Sequence, residues 1–202
     1  MECFQEELRK KYKLKKILVA SLFLSLLTFA NAEELTLEKV KSIASKVSSE
    51  FNSNLKKELK KAKRADGTKG MTDFCIDDSM KILEGLNKKH GSKINIKRVS
   101  LNNRNEKSKA LDDEIKILKA FDLIQKSDAY QPKQIVQIVD DNTYKVYSPI
   151  EMKSRDCKKC HGLEKKVDKE SKKRFSQVYK NENGYGYKSG DIRGAVVITI
   201  SK

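Results

Sequence analysis

Two cysteines and a histidine lie close together in the segment SRDCKKCHG, residues 154–162. Cys157 and Cys160 are separated by two residues and so project from the same side of one helical turn, and His161 follows directly. This spacing is typical of c-type haem attachment, in which two thiols form thioether bonds to the porphyrin and the imidazole binds the iron. The motif predicts one covalent haem c, held by Cys157 and Cys160 and ligated by His161.

The N-terminus predicts export from the cytoplasm. A basic segment, KYKLKK, precedes the apolar run ILVASLFLSLLTFA, which ends at ANA with small residues at Ala30 and Ala32. This is the pattern of a secretory signal peptide, so residues 1–32 are predicted to be cleaved and residues 33–202 to form a periplasmic domain. The apolar run is shorter than the ~20 residues that span a bilayer. Retention as an anchor is the minor alternative, and no membrane span is expected after cleavage.

Two other kinds of site use cysteine pairs of this spacing. A structural zinc site needs four ligands, commonly from a second pair, and Cys75 and His90 are the candidates elsewhere in the mature chain. A redox-active dithiol normally begins a helix directly after a strand in a thioredoxin-like fold. The predicted export and the glycine that follows the histidine favour haem over both alternatives.

The chain is strongly basic, with a formal net charge of +16 over 202 residues. Nucleic acid is not expected as a partner of an exported protein, so the charge concerns solubility, anionic lipid or an acidic protein partner. Because the lysines are dispersed along the chain, a solvated surface is the simplest interpretation. The charge alone identifies no partner.

Hydrophobic periodicity predicts the elements that position the motif. Steps of three and four between apolar residues predict a long helix over 35–63, ended by RADGTKG, and a second helix capped at Thr72 or Asp73. A strand is predicted over 94–101 and a third helix over 110–121. The segments QIVQIVD and TYKVYSPI predict a hairpin, after which the motif is expected on a loop.

The remainder of the chain predicts a helix at KVDKESKKRFSQVYK, a glycine-rich turn at NGYGYKSGD and a closing strand at RGAVVITIS. Helices and strands that are mixed in this order indicate an α+β domain. We therefore predict a small antiparallel sheet that carries helices on one face, together with a long N-terminal helix.

Four segments resemble a family of bacterial single c-type haem domains with a PAS-like fold, which occur as periplasmic proteins and as sensory inputs of signalling proteins. They are MTDFCIDDSMKIL, IKRVSLNNRNEKSKALDDEIKILKAF, YSPIEMKSRDCKKCHG and GYGYKSGDIRGAVVITI, in the family's order. The similarity covers roughly residues 35–201 and implies a PAS-like antiparallel sheet with flanking helices. Two departures, a missing proline and asparagine in NEKSKALDD and a missing Ala-Pro after Cys75, indicate local loop differences.

The resemblance also assigns residues beyond the motif. Arg98, Ser100 and Arg104 match an R-x-S…R-N stretch, and the C-terminal motif is matched by Tyr187, Gly190, Asp191 and Arg193. Partly buried haem propionates need cationic partners, and a guanidinium binds a carboxylate with two parallel hydrogen bonds. Arg98, Arg104 and Arg193 are therefore candidate propionate ligands, and Tyr187 is a candidate contact with the porphyrin.

The sixth iron ligand has several candidates by residue type, namely Met71, Met80, Met152, His90 and Cys75. A helical methionine usually fills the core, and His90 lies in a polar turn. In the mature chain, Cys75 is the cysteine that is not used for thioether attachment. It also lies at the family's matching position. A cysteine thiolate would lower the reduction potential of the iron. We expect Cys75 to be the sixth ligand.

These predictions together indicate a periplasmic monohaem c-type cytochrome that senses redox state or a ligand such as a diatomic gas. Its signal would pass to a separate redox or signalling protein. One-electron transfer between periplasmic partners is the alternative. An enzyme is not expected, because no distal histidine or glutamate suited to acid–base chemistry is evident.

Overall fold

The computed structural model describes residues 35–127, 130–180 and 183–202. The predicted signal peptide, residues 1–32, lies outside the described residues. Within the described part of the chain, no helix is long and apolar enough to cross a membrane.

A long helical segment, α1 (Leu37–Asp77), begins at Thr36, whose side chain accepts a hydrogen bond from the Lys39 N–H. The segment breaks at Asp66 and at Gly67, which has a φ of 53°. Glycine adopts a positive φ more readily than other residues, so the chain can break at this position. The break lies inside RADGTKG, where the helix was predicted to end. Helix α2 (Ser79–His90) follows after Asp78.

The predicted start of the second helix was wrong. Helical structure resumes before Thr72, which is buried inside α1 and donates a hydrogen bond from its hydroxyl to the Thr68 carbonyl at 3.0 Å. A threonine hydroxyl can bond the preceding helical turn as readily as it caps a helix, so residue type alone did not separate the two roles.

Four strands and three further α-helices follow in the described part of the chain. They are β1 (Ile94–Val99), α3 (Asp112–Lys126), β2 (Ile135–Asp140), β3 (Thr143–Glu151), α4 (Arg155–His161), α5 (Lys169–Val178) and β4 (Ile192–Ser201). The four strands form one antiparallel sheet in the order β1-β4-β3-β2. The predicted hairpin is confirmed as β2 and β3. The α+β class, the antiparallel sheet and the long N-terminal helix are likewise confirmed.

Helices cover both faces of the sheet rather than the one face that was predicted. Tyr147 of β3 lies in a buried cluster with Leu118 and Phe121 of α3. The next residue, Ser148, accepts a hydrogen bond from Ser48 of α1 at 3.0 Å. Successive residues of a strand point to opposite faces, so α1 and α3 pack on opposite sides. The continuous apolar run of β4 agrees, since a strand buried on both faces needs no polar alternation.

Candidate haem-binding site

The cysteine motif lies on the short helix α4 rather than on the predicted loop. Ser154 caps this helix, since its hydroxyl accepts a hydrogen bond from the Cys157 N–H at 3.2 Å and lies 3.0 Å from Cys157 Sγ. The helix ends at Gly162, whose N–H donates to the Lys158 carbonyl at 2.9 Å; a Cβ at this position would lie 2.4 Å from that oxygen, so the site requires glycine. A serine three positions before the first cysteine and a glycine after the histidine are local helix-boundary signals that could have been used.

The two cysteines of the motif have different surroundings. Cys157 is partly exposed, whereas Cys160 is buried and its sulfur lies 3.8 Å from the Thr72 hydroxyl. The Thr72 hydroxyl also lies 2.7 Å from the Ser171 hydroxyl, so α1 and α5 together hold Cys160. Burial raises the pKa of the Cys160 thiol, and the Thr72 hydrogen bond opposes this shift. Both thiols are free, as thioether formation requires.

His161 is oriented by a backbone carbonyl. Its Nδ1 lies 2.9 Å from the Gly184 oxygen, and we assign Nδ1–H as the donor. This tautomer leaves the Nε2 lone pair available, and Nε2 forms no hydrogen bond with the residues that the structure describes. Metal-binding histidines commonly donate their other N–H to a carbonyl in this way. Burial, reinforced by Arg193 and Arg104, holds the pKa of His161 well below its usual range, which favours the neutral imidazole, the form that can ligate a metal.

The glycine-rich turn is held against the motif by backbone hydrogen bonds. Gly186 N–H donates to the Gly162 carbonyl at 2.9 Å, and Tyr187 N–H donates to the His161 carbonyl at 3.2 Å. Gly184, with a φ of 99°, presents its carbonyl to His161 from this turn. The sequence interpretation missed Gly184, because a role carried by a backbone carbonyl leaves no signal in the side chain.

Arg104 braces the motif through the backbone. It is 6% exposed, and its Nη2 donates to the Cys160 carbonyl at 2.6 Å and to the Gly184 carbonyl at 3.3 Å. The guanidinium lies 3.9 Å from the ring centre of Phe175 and 4.3 Å from that of Tyr185. Burial lowers the pKa of Arg104. The Nε of Arg104 is buried without a hydrogen-bond partner among the described residues, and its propionate role stays a prediction.

Arg193 lies beside Nδ1 of His161, on the side of the imidazole away from Nε2. Its Nε is 3.3 Å from His161 Nδ1, its Nη1 contacts the Ser100 hydroxyl, and the Tyr187 hydroxyl is 3.4 Å away. Burial lowers the pKa of Arg193 to about 10. Nδ1 and Nε2 point away from each other. Arg193 and Tyr187 therefore lie on the Nδ1 side of the imidazole, which we call its back. The propionate role of Arg193 and the porphyrin contact of Tyr187 stay predictions.

Cys75 and Arg98 lie in the electrostatic surroundings of the motif. Burial raises the pKa of Cys75 to about 11, Cys160 adds to this rise, and Arg98 opposes it. Cys75 of α1, which is partly exposed, and Arg98 of β1 are therefore close enough to interact electrostatically. The Arg98 side chain is partly buried and forms no hydrogen bond or ion pair with the described residues. The guanidinium of Arg98 and the Nε of Arg104 therefore keep donors that no described residue uses, and the propionate role of Arg98 stays a prediction.

The other candidates for the sixth ligand have different environments. His90 Nε2 lies 3.0 Å from a Glu50 carboxylate oxygen and so joins α2 to α1. Met71 and Met152 are each 2% exposed, and Met80 is partly buried. The zinc alternative has no ligand set here: among the described residues, no three His, Cys, Asp or Glu side chains are grouped to hold a metal ion.

The raised pKa of Cys75 predicts a slow, pH-dependent reaction with alkylating agents. In a haem-free Cys157→Ala/Cys160→Ala variant at neutral pH, Cys75 should be a thiol. Its alkylation rate should rise about tenfold per pH unit until the pH approaches the pKa, because only the thiolate reacts. Mass spectrometry of the Cys75 peptide measures this rate. A rate that stops rising below pH 9 would contradict the raised pKa of Cys75. The same measurement in urea supplies the reference for an exposed thiol.

Fold and motif together define an α+β domain in which a Cys-x-x-Cys-His helix is packed between α1, α5 and a glycine-rich turn. The model of the Tll0287-like family matches residues 27–201, so the chain belongs to this family. A solved structure, that of the cyanobacterial haem protein Tll0287, is similar with a TM-score of 0.54 and 14% identity, over 83% of this chain and 97% of that chain. These findings confirm the family resemblance seen in the motifs. No curated protein is similar enough to count as a match.

Proposed function

We propose that this protein is an exported monohaem c-type cytochrome that senses redox state or a small ligand. One observation carries the proposal: two free thiols lie on the same short helix as a histidine whose Nδ1 is bonded to the Gly184 carbonyl. Membership of the Tll0287-like family, one of whose proteins is described as a haem protein, supports it. The predicted signal peptide supports a periplasmic location.

The donor set of the site fits haem c. Cys157 and Cys160 would hold the group, His161 would ligate it through Nε2, and a bound haem would supply one-electron chemistry and an axial position for exchange. Arg104 keeps the Cys160 carbonyl and the Gly184 carbonyl in fixed positions. Arg98 retains donors for a carboxylate close to Cys75. The protein thus supplies attachment, orientation and charge compensation.

The environment of Cys75 favours sensing. Cys75 is a partly buried thiol with a pKa raised to about 11, and it must lose a proton before it can bind iron, so ligation competes with protonation. The site would then have two states, one with Cys75 bound to the iron and one with Cys75 protonated and unbound. A sensor requires such a pair of states. A thiol that leaves the iron would free a position for a diatomic gas.

Electron transfer is the second candidate because the surface near the motif is basic. Exposed lysines lie before, within and after α4 in the sequence; they are Lys153, Lys159, Lys165, Lys166, Lys169 and Lys173. Complementary charge speeds the encounter of an electron carrier with an acidic partner protein. A carrier needs no exchange of the axial ligand, whereas a ligand sensor does.

Covalent attachment is the prediction that tests the proposed cofactor. Protein made with haem-maturation machinery should keep its colour in the pellet after acid-acetone extraction and should gain the mass of one haem, because thioether bonds survive acid. A Cys157→Ala/Cys160→Ala variant should lose the colour. Cys75→Ala is the matched control, since it removes a thiol outside the motif and should leave attachment intact. A colourless protein with stoichiometric zinc, or one with two irons per chain, would refute the proposal.

Carbon monoxide separates the two candidate functions. For a ligand sensor we expect the ferrous absorption spectrum to change on addition of the gas, since the sixth ligand is displaced. A ferrous spectrum that is indifferent to the gas would favour the electron carrier. A reaction with an acidic redox partner that slows as salt is added would also favour the carrier, because salt screens the attraction between that partner and the basic surface.

A further inference from the structure

A cavity of about 250 Å³ lies on the α3 side of the sheet, close to the back of His161. The residues that matter for its chemistry come from α3, the loop after β1, the glycine-rich turn and β4; they are Leu101, Leu118, Asp122, Lys126, Tyr187 and Arg193. Neither cysteine of the motif lines this cavity, and neither does His161. Arg193 therefore connects two places, the cavity and the imidazole.

Arg193 lacks an acidic partner in the described part of the chain. Its Nη1 donates to the Ser100 hydroxyl and to the Tyr187 hydroxyl, and its Nε lies 3.3 Å from His161 Nδ1; none of these groups is a carboxylate. A charge that is withdrawn from water normally has a counter-ion, because desolvation disfavours a charged group that is left without one. A carboxylate meets a guanidinium with two parallel hydrogen bonds. The chemistry that completes this site is a carboxylate.

The walls of the cavity restrict which carboxylate fits. At ~30 Å³ per water-sized group, the space holds on the order of ten non-hydrogen atoms. Leu118, which is 2% exposed, and the Tyr187 ring offer an apolar wall. Asp122 pairs with Lys126 at 2.6 Å, and Asp191 accepts the Lys188 N–H at 2.6 Å. Lys126 offsets the charge of Asp122, so Asp191 is the carboxylate of this lining that disfavours a second negative charge on the occupant.

We propose that this cavity binds a small monocarboxylate on Arg193 and that occupancy alters the hydrogen bonding of the His161 imidazole. The contact of 3.3 Å between Arg193 Nε and His161 Nδ1 is the physical link. A carboxylate that draws the guanidinium toward the cavity would strengthen the bond from Nδ1 to the Gly184 carbonyl, and such partners tune a ligating histidine. Binding stands on the cavity alone, whereas the coupling to iron rests on the proposed function.

Two sources could supply the carboxylate, a free small acid or a haem propionate. Calorimetric titration with benzoate distinguishes them when it is performed on both the haem-loaded protein and the haem-free Cys157→Ala/Cys160→Ala variant. We expect benzoate to bind both forms with similar affinity. Binding to the haem-free variant alone would assign Arg193 to a propionate and overturn the proposal. Absence of binding to both forms would overturn it as well.

Matched ligands and variants test the charge and the location. The uncharged amide benzamide and inorganic phosphate should each bind at least about tenfold more weakly than benzoate, given the strength of charge-assisted hydrogen bonds. Arg193→Gln should weaken benzoate binding at least about tenfold. Leu101→Trp should do the same by filling the cavity without touching the arginine. Leu37→Trp is the control, since Leu37 and Leu101 are each 42% exposed.

Equal binding of benzoate and benzamide, or tighter binding of phosphate, would overturn the assigned ligand class. Equal binding by the Leu101→Trp and Leu37→Trp variants would overturn the location. The coupling has its own readout, a shift of the reduction potential on adding benzoate to the haem-loaded protein, absent in Leu101→Trp. No shift despite binding would overturn the coupling. If the chain carries no haem at all, the proposed function fails while benzoate binding is still decided by calorimetry.

Discussion

Gly184→Ala should lower the free energy of unfolding by about 3 kcal/mol, because it adds backbone strain and overpacking at one buried position. A Cβ at this residue would lie 3.0 Å from Arg193 Nη2 and 3.3 Å from both Arg104 Cγ and the Asn102 carbonyl oxygen. The φ of 99° is one that alanine rarely adopts. The variant should also lose the fixed orientation of His161, since the turn that presents the carbonyl must move.

Gly186→Ala is the matched control for this effect. Gly186 has a φ of 90° in the same turn, but a Cβ there would have no atom within 4 Å. It should cost only the backbone strain of about 1–3 kcal/mol. Urea unfolding of both variants measures the difference, and the absorption spectrum of the haem-loaded protein reports the histidine. Equal losses of stability, with unchanged spectra, would show that the packing around Gly184 carries no weight.

The parts of the fold that were predictable from the sequence depend on local patterns. The end of the helix at RADGTKG follows from the presence of Gly67, which can adopt the positive φ observed there. The β2–β3 hairpin follows from alternating residue types on either side of a turn. The placement of helices on both faces was not predictable in this way. The apolar run of β4 fits a central strand, but only the pairing with β1 on one side and β3 on the other shows that both of its faces are covered.

The same distinction between local sequence patterns and tertiary structure applies to the candidate site. Residue types and spacing identified Cys157, Cys160 and His161, since their chemistry is a property of side chains close in sequence. The Gly184 carbonyl and the Thr72 hydroxyl were missed, because each acts across a long sequence separation. Arg104 was identified through its position in the family's R-x-S…R-N stretch, and its hydrogen bonds in the structure are to backbone carbonyls. Spacing identifies a motif, whereas the groups that orient it depend on tertiary structure.

Cys75→Ser should raise the reduction potential of the haem-loaded protein by on the order of 0.1 V, within the ~0.8 V range that axial ligands span. A thiolate favours the ferric state, and a serine hydroxyl is a far weaker donor. In the wild type we expect a six-coordinate, low-spin ferric spectrum with a sulfur-to-iron charge-transfer band. The band should vanish in the variant. It should also weaken on acidification of the wild type, because Cys75 must release its proton to solvent before its sulfur binds the iron, and burial, which raises the pKa of Cys75 to about 11, favours the thiol.

His90→Ala is the control that separates ligation from general disturbance of the helices. His90 is engaged by Glu50 between α1 and α2, so its loss should leave the charge-transfer band and the potential unchanged while lowering stability slightly. An unaltered ferric spectrum and potential in Cys75→Ser would leave Cys75 a buried thiol beside the motif. In that case the ligand switch loses its mechanism, the electron carrier becomes the better supported function, and the covalent attachment through Cys157 and Cys160 is unaffected, because it depends on different atoms.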